Sequence, residues 1–119
     1  MAEKRDSIRF RKRLRLRFGK ESPTTLAYTE DLSLSGLFVK SPSVLQPRNR
    51  LFIELELPDG EVVAMEGVIM WAKRVPLTLI HRVNKSGMGI RILKLTSGQP
   101  SYVKFIEELQ NSRQRSTQT

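Results

Sequence analysis

Apolar and polar residues alternate along most of the chain, which is the period of a half-buried β-strand. A first strand is predicted from Phe10 to Phe18, where apolar residues from Leu14 onward alternate with arginines, so the arginines are expected on the solvent face. Shorter stretches predict a second strand over residues 25–29 and a third over residues 37–39. A fourth strand is predicted over residues 51–57, where aliphatic residues occupy every second position.

The second half of the chain continues this pattern and then changes it. Pro58-Asp59-Gly60 is a turn signal, because proline presets φ and glycine accepts a positive φ, so residues 62–73 should return antiparallel to the fourth strand. Residues 77–84 are interpreted as a long connection, and residues 88–95 as the sixth strand. After Ser97 the apolar residues occur at helical spacing, which predicts a C-terminal helix. They are Tyr102, Phe105, Ile106 and Leu109.

Six short strands punctuated by glycine and proline, followed by one helix, predict an all-β fold. We expect a small antiparallel barrel with a C-terminal α-helix, because closure removes exposed sheet edges. A chain of 119 residues fits a single domain. This domain is expected over residues 10–112, with a flexible segment over residues 1–10 and a disordered polar tail over residues 113–119.

Positive charge is concentrated at the start of the chain. Residues 1–20 contain nine Lys or Arg and two acidic residues, a balance of +7 in a protein whose net charge is +9. Such a stretch attracts polyanions, which include nucleic acid, an acidic membrane face and small phosphorylated ligands. Charge alone does not choose among these partners.

The composition narrows the classes of function. The chain has no cysteine and a single histidine, His81, which excludes disulfides and cysteine catalysis and argues against imidazole chemistry. Since no nucleophile has a neighbouring base and no metal cluster is evident, we expect neither an enzyme nor a metal site. No apolar run approaches a membrane span and no signal-peptide pattern is present, so a cytoplasmic protein is expected.

Two short motifs carry the candidate chemistry. Arg5 and Arg9 precede the first strand, and Asp31-Leu-Ser33-Leu-Ser-Gly36 is expected at the tip of the next hairpin. Arginine offers planar, bidentate donors for phosphate oxygens and for the O6/N7 edge of guanine. An ionised aspartate only accepts, and it suits the N1 and N2 hydrogens of guanine. Together the motifs point to an anionic guanine nucleotide.

Each motif also has a purely structural interpretation. The arginines alone are consistent with a solvated basic face, and Asp31 with Ser33 is consistent with a capped turn, since both side chains readily bond their own backbone. Trp71 is more typical of barrel packing than of a stacking platform. The combination of the two motifs favours a ligand site.

The chain resembles the PilZ family of bacterial second-messenger receptors, whose signature is R-x-x-x-R followed about twenty residues later by D/N-x-S-x-x-G. Arg5-Asp-Ser-Ile-Arg9 and Asp31-Leu-Ser33-Leu-Ser-Gly36 match both parts. The similarity continues through Gly67-Val-Ile-Met-Trp71 and Gly87-Met-Gly89-Ile-Arg-Ile92. It implies a six-stranded antiparallel β-barrel of the PilZ type that binds cyclic di-GMP, needs no other cofactor and catalyses no reaction.

The resemblance also implies a role for individual residues. Arg5 and Arg9 would bind phosphate and the Hoogsteen edge of guanine, while Asp31 would accept the N1 and N2 hydrogens. Ser33 would lie near the same base or a phosphate, and Gly36 would keep the turn free of a Cβ. Further candidate ligand residues are Lys4, Ser35 and Trp71, of which Trp71 would offer a stacking face.

Other pairs of arginines have the same spacing. They are Arg9 with Arg13, Arg11 with Arg15, and Arg13 with Arg17. The pair Arg5 and Arg9 is preferred because, in the family, the second arginine is followed by an apolar residue, here Phe10, and then by the first barrel strand. Lys4 stands where many relatives have a further arginine, which leaves open whether one cyclic di-GMP or an intercalated pair is bound.

The expected mechanism is an ordering transition. Cyclic di-GMP would bridge the N-terminal segment to the Asp31 turn and so create a surface for a downstream protein partner. One alternative is a small basic barrel that binds nucleic acid through Arg11, Arg13, Arg15 and Arg17, although this strand lacks interleaved exposed aromatic residues. Another alternative is a degenerate PilZ-like adaptor that binds only protein partners, against which the intact signature argues.

Overall fold

A computed structural model describes residues 8–73 and 86–118 of the chain. The connection expected over residues 77–84 lies outside the described residues. The described part contains seven strands followed by one helix. The strands are β1 (Phe10–Arg11), β2 (Arg15–Gly19), β3 (Thr25–Leu32), β4 (Gly36–Lys40), β5 (Arg50–Glu56), β6 (Val62–Lys73) and β7 (Gly87–Ser97), and the helix is α1 (Gln99–Gln118).

The strands β2 to β7 close into an antiparallel barrel. The sheet order is β1-β3-β2-β5-β6-β7-β4, and β3 also pairs with β4, which completes the circle. β1 pairs with β3 just beyond the end of β2, so β1 and β2 are two parts of one interrupted strand line. The prediction of an all-β, six-stranded antiparallel barrel with a C-terminal helix is confirmed.

The inward-facing side chains of the strands form one core, as the alternating pattern predicts. β5 shows it most regularly, with buried Leu51, Ile53 and Leu55 between exposed neighbours. The helix α1 adds Tyr102 and Ile106 to this core, and Phe105 and Leu109 pack against it. The helical residues singled out from the sequence therefore cover the barrel.

The helix α1 follows a tight turn at Gly98, whose φ of 77° favours glycine. It extends to Gln118, into the stretch 113–119 for which the sequence predicts a polar tail. In the described ranges 8–73 and 86–118, no helix has the length and apolar character that crossing a membrane requires.

The predicted first strand is interrupted at residues 12–14, and Thr29 on β3 fills the gap. The amide of Leu14 donates to Thr29 Oγ1 (2.8 Å), and the Thr29 hydroxyl donates to the carbonyl of Lys12 (2.6 Å). These bonds satisfy backbone groups that a continuous ladder would otherwise pair. Because the interruption adds a residue to the strand line, Arg11, Lys12 and Arg13 are all exposed instead of alternating.

Candidate functional site

Asp31 lies within β3 and not at the tip of the hairpin, where the sequence pattern placed it. β3 runs to Leu32, and its register against β4 shifts between Thr29 and Asp31, which leaves Glu30 as an extra residue. Regular alternation would direct Asp31 to the same face as the buried Thr29. The β-bulge instead turns the carboxylate outward, toward the chain that precedes β1.

The side chains of Arg9 and Asp31 meet at this point. Arg9 Nη1 donates to Asp31 Oδ1 at 2.6 Å, the short distance of a charge-assisted bond. The Arg9 side chain is 48% exposed and that of Asp31 is 25% exposed. Two residues selected from separate motifs, 22 positions apart, therefore form one ion pair at the surface of the barrel.

Ser33 organises the turn that joins β3 to β4. Its buried hydroxyl accepts the amides of Ser35 (3.2 Å) and Gly36 (3.1 Å), and its own amide donates to the carbonyl of Gly36 (2.9 Å). Ser35 is exposed, and its carbonyl accepts the amide of Ile92 on β7 (2.8 Å). The turn is thus fixed both by its own hydrogen bonds and by a hydrogen bond from the neighbouring strand.

Gly36 lies where β4 packs tightly against the backbone of β7. A Cβ on Gly36 would lie 2.6 Å from the carbonyl oxygen of Ile90 and 3.6 Å from Arg9 Nη2. The first distance is shorter than real Cβ contacts, and the opposing atom belongs to backbone that is paired in the barrel. The absence of a side chain here therefore keeps the turn beside the Arg9 guanidinium.

Trp71 lies on the same side of the barrel as Arg9. Alternation places Trp71 with the buried Ile69, but a register shift between these two residues turns the indole outward, to 47% exposure. The ring packs beside Phe38, with centroids 5.1 Å apart, and covers Gly89, where a Cβ would overlap the indole. Nearly half of the surface of Trp71 thus remains exposed beside these contacts.

These residues line a common open cleft of about 270 Å³. Of the predicted site residues, Arg9, Ser35, Gly36 and Trp71 border it, and Asp31 is joined to it through Arg9. Ser33 lies behind the turn, and Lys4 and Arg5 lie outside the described residues. The cleft is also lined by four residues that were not predicted as site residues, Met70, Gly89, Ile90 and Arg91. For Arg91 a signal was present, since it stands between Ile90 and Ile92 and must face outward.

The helix α1 contacts the backbone of both motifs. The buried hydroxyl of Tyr102 donates to the carbonyl of Ser33 (2.6 Å). Near the other end of the helix, Arg113 Nη2 donates to the carbonyl of Arg9 (3.2 Å), and its guanidinium lies 4.5 Å from the ring centroid of Phe10. The position of α1 thus affects where Arg9 and the turn stand relative to each other.

Tyr102 is protonated over the whole physiological range. Burial raises the pKa of its phenol well above the ordinary value, and the positive charge of Arg9 offsets part of that rise. The group therefore remains a hydrogen-bond donor to Ser33 at any pH at which the protein is expected to act.

Replacing Tyr102 by phenylalanine is expected to lower the free energy of unfolding by about 1–2 kcal/mol at neutral pH, because a buried bond is lost. The raised pKa also predicts a pH effect. Above pH ~10 the unfolded chain releases this proton before the folded one, so wild-type stability falls by up to ~1.4 kcal/mol per pH unit. Denaturant unfolding of both proteins at pH 7 and in the alkaline range measures both effects. Equal alkaline slopes in the two proteins would contradict the titration of Tyr102.

Comparison with known proteins identifies relatives of this barrel. The family model of the PilZ domain matches residues 3–109. A search of curated proteins found no significant match. The solved structure of the Bacillus subtilis inhibitor of motility (MotI/DgrA) is similar, with a TM-score of 0.71 at 16% sequence identity. The match covers 92% of this chain and 52% of that one, so this chain spans about half the length of that protein.

At 16% identity the likeness to the solved structure establishes the fold alone. The family match is broader evidence, because it includes the arginine motif, the Asp31 turn, all seven strands and the first half of α1. It covers most of the chain. The chain belongs to the PilZ domain family.

Proposed function

We propose that this PilZ domain is a non-enzymatic cytoplasmic receptor for cyclic di-GMP. The observation that carries the proposal is the ion pair between Arg9 and Asp31, which places a guanidinium fork and a carboxylate beside the side-chain-free Gly36 and the open cleft. Arg9 has the donors for a phosphate and for the O6/N7 edge of guanine. Asp31 has the acceptors for guanine N1 and N2.

Magnitudes favour exchange of this ion pair for a ligand. An exposed pair contributes only about 0.2–1 kcal/mol, whereas hydrogen bonds to charged groups contribute about 1.5–3 kcal/mol each. Ligand binding would break the ion pair, and Arg9 and Asp31 would each form stronger hydrogen bonds with the ligand. In the absence of ligand, the pair holds both side chains close to the positions in which they are needed.

The cleft could accommodate part of such a ligand. The half-exposed indole of Trp71 suits stacking with a guanine, and Arg91 adds a second cation at the rim. A cleft of about 270 Å³ is slightly smaller than the usual small-molecule site, for which about 300 Å³ is the lower limit. We therefore assign Arg5 and Lys4 to the other side of the ligand, which the N-terminal segment would cover.

The output would be an interaction with another protein. Ligand that joins the N-terminal segment to the Asp31 turn would create a composite surface for a downstream partner. The contacts of α1 with Ser33 and Arg9 give a route by which that change would reach the helix.

Isothermal titration of cyclic di-GMP into the purified protein tests the proposal, with GTP as the control at two salt concentrations. Four or five charge-assisted bonds, less the ordering cost, support a Kd of roughly micromolar. Saturable heat with the dinucleotide and none with GTP is expected, and the stoichiometry distinguishes one ligand from an intercalated pair. No heat with either nucleotide would overturn the receptor function.

A further inference from the structure

A second, more basic cleft lies apart from the candidate ligand site. It has a volume of about 640 Å³, and we call it the basic cleft, defined by Arg11, Lys12, Arg13, Tyr28 and Lys40. Of the signature residues that the structure describes, Arg9, Asp31, Ser33 and Gly36, none lines it. Its volume is within the usual range for small-ligand sites.

The interruption between β1 and β2 builds one wall of the basic cleft. Thr29 holds that interruption open through its bonds to Lys12 and Leu14, and three consecutive cations face the solvent as a result. A regular strand would direct Lys12 into the core. The positive charge is therefore concentrated here by the fold and not only by the basic composition of the segment.

Tyr28 lies in the middle of these cations. The guanidinium of Arg13 lies 4.0 Å from the centroid of its ring, and the cross-strand neighbours of Tyr28 are Arg15 on β2 and Lys40 on β4. Stacked arginine and tyrosine form a planar surface on which a base can stack. The interleaved aromatic residue that the first strand lacks in the sequence is therefore supplied by β3.

The positive charge of the basic cleft is only partly neutralised. Among the residues that the structure describes, Glu30 is the one carboxylate in its wall, and it lies 4.0 Å from Arg11. Among the side chains described in residues 8–73 and 86–113, those of Lys12, Arg13 and Lys40 form no ion pair. Three cations are thus available to anionic groups of a ligand.

We infer that the basic cleft binds single-stranded nucleic acid, with phosphates on the cations and a base on the stacked Arg13 and Tyr28. A planar stacking surface among cations fits a nucleotide chain better than an acidic peptide or a lipid headgroup, which have no base to stack. Arg15 and Arg17 continue along β2 as exposed cations about 7 Å apart, a track for the backbone of a longer strand. The inference does not depend on cyclic di-GMP, because no described residue lines both clefts.

Fluorescence anisotropy with a labelled oligothymidylate tests the inference at several salt concentrations. The double variant Lys12→Gln with Lys40→Gln is expected to weaken binding about fivefold or more at low salt and to reduce the salt slope by roughly 1.4. The control is Lys73→Gln with Lys104→Gln, which removes the same charge from exposed positions outside the basic cleft and is expected to change affinity less than about twofold.

A second pair of variants tests stacking independently of charge. Tyr28→Leu is expected to weaken binding about fivefold or more without changing the salt slope, and Tyr28→Phe to bind as the wild type does. Circular dichroism verifies that the variants fold. Equal losses in the two double lysine variants, or no effect of Tyr28→Leu, would overturn the inference. Tighter binding of polyglutamate or of vesicles containing phosphatidylserine than of oligothymidylate would also overturn it.

Discussion

Replacing Arg9 by alanine is expected to weaken cyclic di-GMP binding about tenfold or more while the barrel stays folded. The variant loses hydrogen bonds to a charged ligand that contribute about 1.5–3 kcal/mol each. In the variant, the ligand no longer has to break the exposed ion pair of Asp31, and this makes binding more favourable by at most about 1 kcal/mol. The loss is the larger quantity, so affinity falls. Asp31→Ala is expected to act in the same direction, and titration calorimetry measures both.

Arg15 offers a closely matched control for this experiment. Its side chain is also 48% exposed and faces a carboxylate, that of Glu56, at 3.9 Å. Arg15→Ala and Arg9→Ala carry the same net charge, but only Arg9 lies at the Asp31 turn. We expect Arg15→Ala to bind cyclic di-GMP as the wild type does. Equal losses in the two variants would show that the ligand responds to overall charge and not to the site.

Introducing a Cβ at Gly36 is expected to damage both stability and binding. Gly36→Ala places the new atom 2.6 Å from the Ile90 carbonyl oxygen, and the strand pair β4 and β7 must separate to accept it. Overpacking of this kind costs about 1–3 kcal/mol of unfolding free energy. Because the displaced turn lies next to the Arg9 guanidinium, cyclic di-GMP affinity should fall about tenfold as well. Denaturant unfolding and calorimetry measure the two losses.

Gly60→Ala separates a general loss of stability from distortion of the site. Gly60 has a φ of 93°, so alanine is strained there by about 1–2 kcal/mol, although nothing lies within 4 Å of the new Cβ. It occupies the turn between β5 and β6, and it lines none of the site described around Arg9. We expect Gly60→Ala to be destabilised but to bind normally. Normal binding by Gly36→Ala would contradict the role assigned to this glycine.

The strands were predictable wherever burial alternates without interruption. β5 and β6 lie within a residue of their predicted bounds, because Leu51, Ile53 and Leu55 mark the buried face and Pro58 and Gly60 mark the turn. The spacing of Tyr102 and Ile106 likewise predicted one apolar face on a helix, which would cover the barrel or form a partner surface, and the structure buries both residues. In these segments the local pattern and the tertiary packing favour the same structure, so the sequence alone is sufficient to predict it.

The candidate site was predictable in its residue types but not in its geometry. Arg9 and Asp31 were selected because their chemistry is complementary to guanine and phosphate, and the fold brings them into direct contact. A position of Ser33 near the ligand stays a prediction, and the structure shows that its buried hydroxyl bonds the turn amides. A serine in such a turn can bond either a ligand or the turn backbone, and the sequence is consistent with both. Only the folded turn shows which bonds the hydroxyl makes.

By itself, the sequence determined the strand pattern, the closing helix, the concentration of positive charge and the two motifs of the family. The tertiary structure alone decided which side chains meet. It turns Asp31 and Trp71 outward at β-bulges, and it groups Lys12 and Arg13 beside Tyr28 at the interruption held by Thr29. The physical reason is that an extra residue in a strand interrupts the alternation of faces, so residues beside it leave the faces that a period of two predicts. The position of the extra residue depends on hydrogen bonds with neighbouring strands. The alternation of apolar and polar residues along the chain carries no information about those bonds.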